Sequence, residues 1–128
     1  MANRQLDVGG AELEVLKVLW DGGPSTVRDV LDRLHAAGRQ VAYTTVQTSL
    51  NRLEQKRFVV SNKSDLAFVY RAKVTRDRVV KSRLKSLLEQ LYDGAAGPLV
   101  LQLIKSERLT DAELTELQTL LDDLDTKG

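Results

Sequence analysis

Between Tyr43 and Arg71 the spacing of the apolar residues changes once, and that change limits what the chain can become. Val46, Leu50 and Leu53 recur at steps of three and four, the spacing of one helix face, which predicts a helix from about Tyr43 to Lys56. Phe58, Val59 and Val60 then follow without helical spacing. After the polar "SNKSD" comes Ala67 to Arg71, with Phe68 and Tyr70 on one side and Val69 on the other. This predicts a β-hairpin whose tip is Asn62 to Asp65, its strands filled by β-branched and aromatic residues.

Two more helices precede it. Gly9 and Gly10 introduce Leu13, Leu16, Leu19 and Trp20 on one face, with Glu12 near the positive end of the helix dipole. "DGGP", Asp21 to Pro24, breaks the chain, after which Ser25 can cap a second helix with Val27, Val30, Leu31 and Leu34 inside and Gly38 at its end. Three helices and a hairpin within the first 75 residues give the order of a winged helix-turn-helix. The expected fold is therefore mainly α with a small β-hairpin: a winged-helix domain over 1–75, then a helical region over 76–128.

In that second region Thr75 can cap a helix reaching about Tyr92, with Val80, Leu84, Leu87 and Leu91 in one stripe. "DGAAGP" interrupts it. Pro98 suits the first position of a short helix through Ile104 that carries Leu99 and Leu103. "TDAE", Thr110 to Glu113, has the form of a capping box that opens a last helix with Leu114, Leu117, Leu121 and Leu124. Such stripes are too narrow to cover one another, so a second copy is expected to cover them and the chain is expected to be a homodimer.

Charge separates along the chain although the formal net charge is only +1. Residues 1–38 sum to −2, 39–85 to +9 and 86–128 to −6. The basic block contains the third helix, and a basic face of this kind is what a polyanion-binding surface requires. A helix in the major groove needs side chains that reach base edges, backed by an apolar face that docks on its domain. Thr44, Gln47, Thr48 and Asn51 are the expected base readers. Thr45 either joins them or turns inward beside Val46. Arg39, Tyr43 and Arg52 are better suited to phosphates, and Lys63 at the hairpin tip to a neighbouring backbone or minor groove.

Other chemistries find little support. Without cysteine and with His35 alone, no metal site, thiol nucleophile or cofactor is expected. "GGAE" at Gly9 punctuates a helix start and does not follow a strand as a phosphate-binding loop would, so no enzyme is expected. No apolar run, Leu99 to Leu101 included, approaches the roughly 20 residues of a membrane span, and "MANRQLDVGG" has no secretory pattern. The cytoplasm is the expected compartment. A winged helix that binds an acidic protein partner instead of DNA is the competing reading.

At "AELEVLKVLW", "TVRDVLDRL", "AYTTVQTSLNRLEQK" and "FVYRA" the sequence resembles the penicillinase repressor family, and "PLVLQLIKSERLTDAELTELQTLLDD" resembles that family's dimerisation region. The resemblance implies a dimeric repressor that binds an inverted-repeat operator of duplex DNA, often beside a resistance gene, with the helix from Tyr43 as its reader. It also implies differences. Thr44 and Gln47 stand where basic residues are found in the family, and Arg57 stands where glycine is common. Where the β-lactam-responsive branch is cleaved at an Asn-Phe bond, this chain has Gln102 and Leu103. The Cu(I) switch of the copper-responsive branch needs cysteines, which are absent here. A regulatory protease or a small-molecule inducer therefore stays open as the releasing signal.

Overall fold

A computed structural model describes residues 6–64 and 66–127. Two compact units divide the chain, residues 1–84 and 85–128. The first contains α1 (Gly10–Gly22), α2 (Val27–Ala36), α3 (Tyr43–Gln55) and the antiparallel hairpin β1 (Val59–Asn62) and β2 (Val69–Ala72). Val59 pairs with Ala72 and Asn62 with Val69. Of the expected hairpin tip, Asp65 lies outside the described residues. The helix α4 (Arg76–Tyr92) begins in this unit, and the second unit continues through α5 (Ala96–Ser106) and α6 (Asp111–Lys127).

One core holds the first unit together. Leu16 and Leu19 of α1, Val30 and Leu34 of α2, and Val46, Leu50 and Leu53 of α3 are buried with Val59, Tyr70, Val74 and Val79. Burying such side chains contributes about 1.5–3 kcal/mol each relative to exposure, which fixes the inner face of every helix. It thereby fixes the outer face of α3. Thr75 caps α4 as expected, accepting from Arg78 N-H at 3.2 Å, and Val79 anchors the helix's start in the core.

The second helix departs from the sequence expectation. Its cap is Thr26, whose hydroxyl accepts from Asp29 N-H while Asp29 accepts from Thr26 N-H. Ser25 is instead buried in a bridge to the wing, with N-H···O=C bonds of 2.9 and 2.8 Å exchanged with Tyr70. A main-chain pairing with β2 outcompetes local capping, and the cap moves one residue along. His35 lies exposed near the end of α2 and contacts the Val41 carbonyl.

Pro98 also differs. It is the third residue of α5, which starts at Ala96, and the missing proline N-H is harmless there because first-turn donors have no helical partner. The box at Thr110 forms as expected, with Thr110 N-H to Glu113 Oε1 at 2.8 Å and Glu113 N-H to Thr110 Oγ1 at 3.1 Å.

Candidate nucleic-acid interface

The outer face of α3 is a strip of uncharged polar side chains. At 3.6 residues per turn, Thr44, Gln47, Thr48 and Asn51 fall within about 100° of arc, opposite the buried Val46, Leu50 and Leu53. All four are exposed, as are Tyr43, Thr45 and Arg52. Thr45 thus faces solvent, and the small residue turned inward is Ser49.

The start of α3 is left open. Ala42, its N-cap, makes no side-chain cap, and no acid stands in the first turn. By contrast, α2 is closed by Thr26 with Asp29, and α6 by Thr110 with Glu113. First-turn N-H groups without a cap can donate to a phosphate oxygen, aided by the helix dipole.

The cations around this strip are not equally available. Arg39 is already paired, with its Nε 2.7 Å and its Nη2 3.0 Å from the two oxygens of Glu14 on α1. A phosphate contact by Arg39 has to compete with that two-point bridge. Arg52 has no carboxylate partner among the described residues. Lys63 sits on the wing with its ammonium 5.4 Å from the Phe68 ring centre. Sequence reasoning missed Arg28, whose guanidinium lies 5.8 Å over the Tyr43 ring. It stands on the second helix, so only the packing of α2 on α3 brings it to the open start of α3. Arg71, exposed on β2, was missed as well; its outward position in the strand alternation was the available signal.

A side-chain hydrogen bond ties the wing to α3. Ser61 Oγ of β1 donates to Glu54 of α3, and Tyr70 is buried behind the sheet. Burial pushes the Tyr70 phenol above its ordinary pKa, and the neighbouring Glu54 and Tyr43 add to the shift, so the ring stays neutral.

In the remainder of the chain the expected dimerisation residues stay accessible. Val80, Leu84, Leu91, Leu103, Leu114, Leu121 and Leu124 are exposed, and Leu87, Leu99 and Leu117 are half-buried. Gln102 and Leu103 are exposed in the middle of α5, so a protease could cut between them only with the helix locally unwound. Among the described residues no group of three or more His, Cys, Asp or Glu side chains could hold a metal, and no helix is long and apolar enough to cross a membrane.

Known proteins bear on this geometry. The sequence model of the penicillinase repressor family matches residues 8–123. The penicillinase repressor of Staphylococcus aureus is 28% identical over 127 residues, covering 99% of this chain and all of that protein. The transcriptional regulator BlaI of Mycobacterium tuberculosis is 37% identical over 90 residues, 70% of this chain and 64% of that one. Among solved structures, the DNA-binding domain of the repressor BlaI aligns with a TM-score of 0.51 at 28% identity, over 59% of this chain and 92% of that domain. The chain belongs to the penicillinase repressor family, as a winged-helix transcriptional repressor and not an enzyme.

Proposed function

We propose that the protein acts as a homodimer on an inverted-repeat operator, through a DNA-binding domain over 1–75 and a dimerisation region over 76–128. The observation that carries this reading is the uncapped, acid-free start of α3 beneath an exposed strip of Thr44, Gln47, Thr48 and Asn51. Glutamine can pair in two-point fashion with adenine, and threonine can pack its methyl on that of thymine. Tyr43, Arg52, Lys63 and Arg28 then position the helix on phosphates without reading sequence. The accessible leucine stripes of α4 to α6 support self-association, because a second copy would cover them.

In such a dimer the two reading helices lie about 34 Å apart, one turn of DNA, and the bound dimer occludes the promoter. The names of its relatives favour a β-lactam or other antibiotic or stress resistance operon as the target.

The test compares Arg52→Ala with Gln47→Ala on operator and on random duplex, by fluorescence anisotropy over a salt series. Loss of Arg52 should weaken binding on all sequences and reduce the salt slope by about 1 per chain. Loss of Gln47 should alter preference at one base pair by about 1–3 kcal/mol. Equal losses on both duplexes for both variants would contradict the division of roles. Failure of the unaltered protein to bind any duplex, at low salt as well as moderate, would favour a winged helix that recognises a protein partner.

A further inference from the structure

At the far end of α3 the chain turns through Arg57 in a left-handed conformation, φ 67°. The turn is closed by Phe58 N-H to Leu53 C=O at 2.9 Å and by Arg57 N-H to Glu54 C=O at 3.0 Å. Glycine would adopt this geometry without strain, whereas a residue with a Cβ pays about 1–2 kcal/mol. What arginine adds is a guanidinium at the edge of a cleft of about 510 Å³.

Two more cations stand on other walls of that cleft, Lys73 just after β2 and Arg78 in the first turn of α4. Among the described residues, none of these three forms an ion pair with a carboxylate. The floor is apolar and consists of Leu6, Phe58 and Val74. Its frame is held by main-chain bonds. The Phe58 carbonyl accepts from the N-H groups of Lys73 and Val74 at 2.8 and 3.1 Å, and the Val74 carbonyl accepts from Trp20 Nε1 at 2.9 Å. A fourth cation, Lys56, also lines the cleft but is held by Glu12 at 2.8 Å and by the Asp7 carbonyl at 2.8 Å, and the one carboxylate in the lining, that of Asp7, is exposed to solvent 3.7 Å from the same ammonium.

We propose that this cleft between the end of α3, the end of β2 and the start of α4 binds a small organic polyanion with an apolar body, and that its occupation weakens DNA binding. Three cations without carboxylate partners around an apolar floor match carboxylates spaced around a compact hydrophobic scaffold. A phosphodiester backbone would satisfy the cations and leave the floor unused. The sign of the effect follows from charge, because a bound polyanion offsets part of the +9 carried by residues 39–85. Binding to the cleft stands by itself; only its effect on DNA rests on the proposed operator recognition.

Benzene-1,3,5-tricarboxylate is a suitable probe, titrated into the ¹⁵N-labelled full chain without DNA. Saturable amide shifts should centre on Arg57, Phe58, Lys73 and Arg78, and the double variant Lys73→Ala/Arg78→Ala should bind at least tenfold more weakly while keeping the dispersed spectrum of a folded chain. Shifts spread over the Thr44 to Asn51 strip, unchanged affinity in the variant, or inorganic phosphate binding the same amides as tightly would each overturn the site. At constant ionic strength, saturating probe should raise the operator Kd of the unaltered protein severalfold and leave that of the variant unmoved. A saturated cleft with an unchanged operator Kd would overturn the effect on DNA. A chain that binds the probe in the cleft but binds no duplex would sink the operator reading and leave the anion site intact.

Discussion

Replacing Arg57 with glycine should stabilise the protein. The residue sits at φ 67° just past the end of α3, where a Cβ costs about 1–2 kcal/mol. Glycine removes that strain but makes the unfolded chain more flexible, which offsets about 0.4–1 kcal/mol. Arg57 is exposed, so little packing is lost with it. The net expectation is a gain of about 0.5–1 kcal/mol, or a few degrees in Tm for a unit of this size. Urea unfolding measures it as a midpoint shift at unchanged slope, with protein concentration held fixed because self-association shifts apparent stability. Arg57→Ala is the control, since alanine removes the same charge from the cationic cleft and keeps the strain. Equal gains from glycine and alanine would refute the backbone argument and assign the effect to relief of charge repulsion.

Lys56→Met should destabilise by about 1–3 kcal/mol by leaving the buried Glu12 carboxylate without its ammonium; adding Glu12→Leu should recover part of the loss, whereas additive losses in a double-mutant cycle would show that the two side chains do not interact. Thr110→Ala should cost about 1 kcal/mol of α6 stability through the lost cap, read as a fall in helical circular dichroism and in the thermal midpoint. The main-chain N-H and then the hydroxyl of Thr110 hold the Glu113 carboxyl below its ordinary pKa. A depressed folded-state value means that this contribution is present above the unfolded glutamate pKa, roughly 4.3, and is lost as pH falls through the folded value. Thr110→Ala should therefore also blunt the loosening of α6 in acid, and an unchanged acid profile would argue against the box.

What the sequence revealed about fold and site was what local chemistry decides. The Thr110 box, the inner stripe of Val46, Leu50 and Leu53, and the strained site at Arg57 all depend on residues within a few positions of one another, so their pattern survives in one dimension. Ser25 was hidden because its partner, Tyr70, is 45 residues away and main-chain pairing with it overrides a good capping side chain. Arg39 was legible as a cation just before α3; its bridge to Glu14 on α1 was not. The same holds for the stacking of Arg28 on Tyr43 and for the cleft, whose three cations come from a turn, the end of a strand and the start of a helix.

If α3 reads DNA as proposed, the fate of the charges would let one small domain separate holding DNA from reading it. Several cations of the basic block are spent on the frame: Arg39 on Glu14, Lys56 on Glu12, and Arg76 on Asp21 while its guanidinium lies 5.3 Å over Trp20. Each of these bridges ties the approach to α3, its end, or the start of α4 back to α1. Cations held in this way are less available to phosphate. On the proposed reading, attraction falls to cations that pair with no carboxylate among the described residues, such as Arg52 and Lys63, whose pull on phosphate would be the same for every sequence. The Thr44 to Asn51 strip carries no formal charge, so on the same reading it would add little to that uniform pull and its hydrogen bonds would form well only on matching base edges. A lysine placed in the strip, by the same logic, would raise affinity for random DNA faster than for the operator and so erode the discrimination on which repression depends.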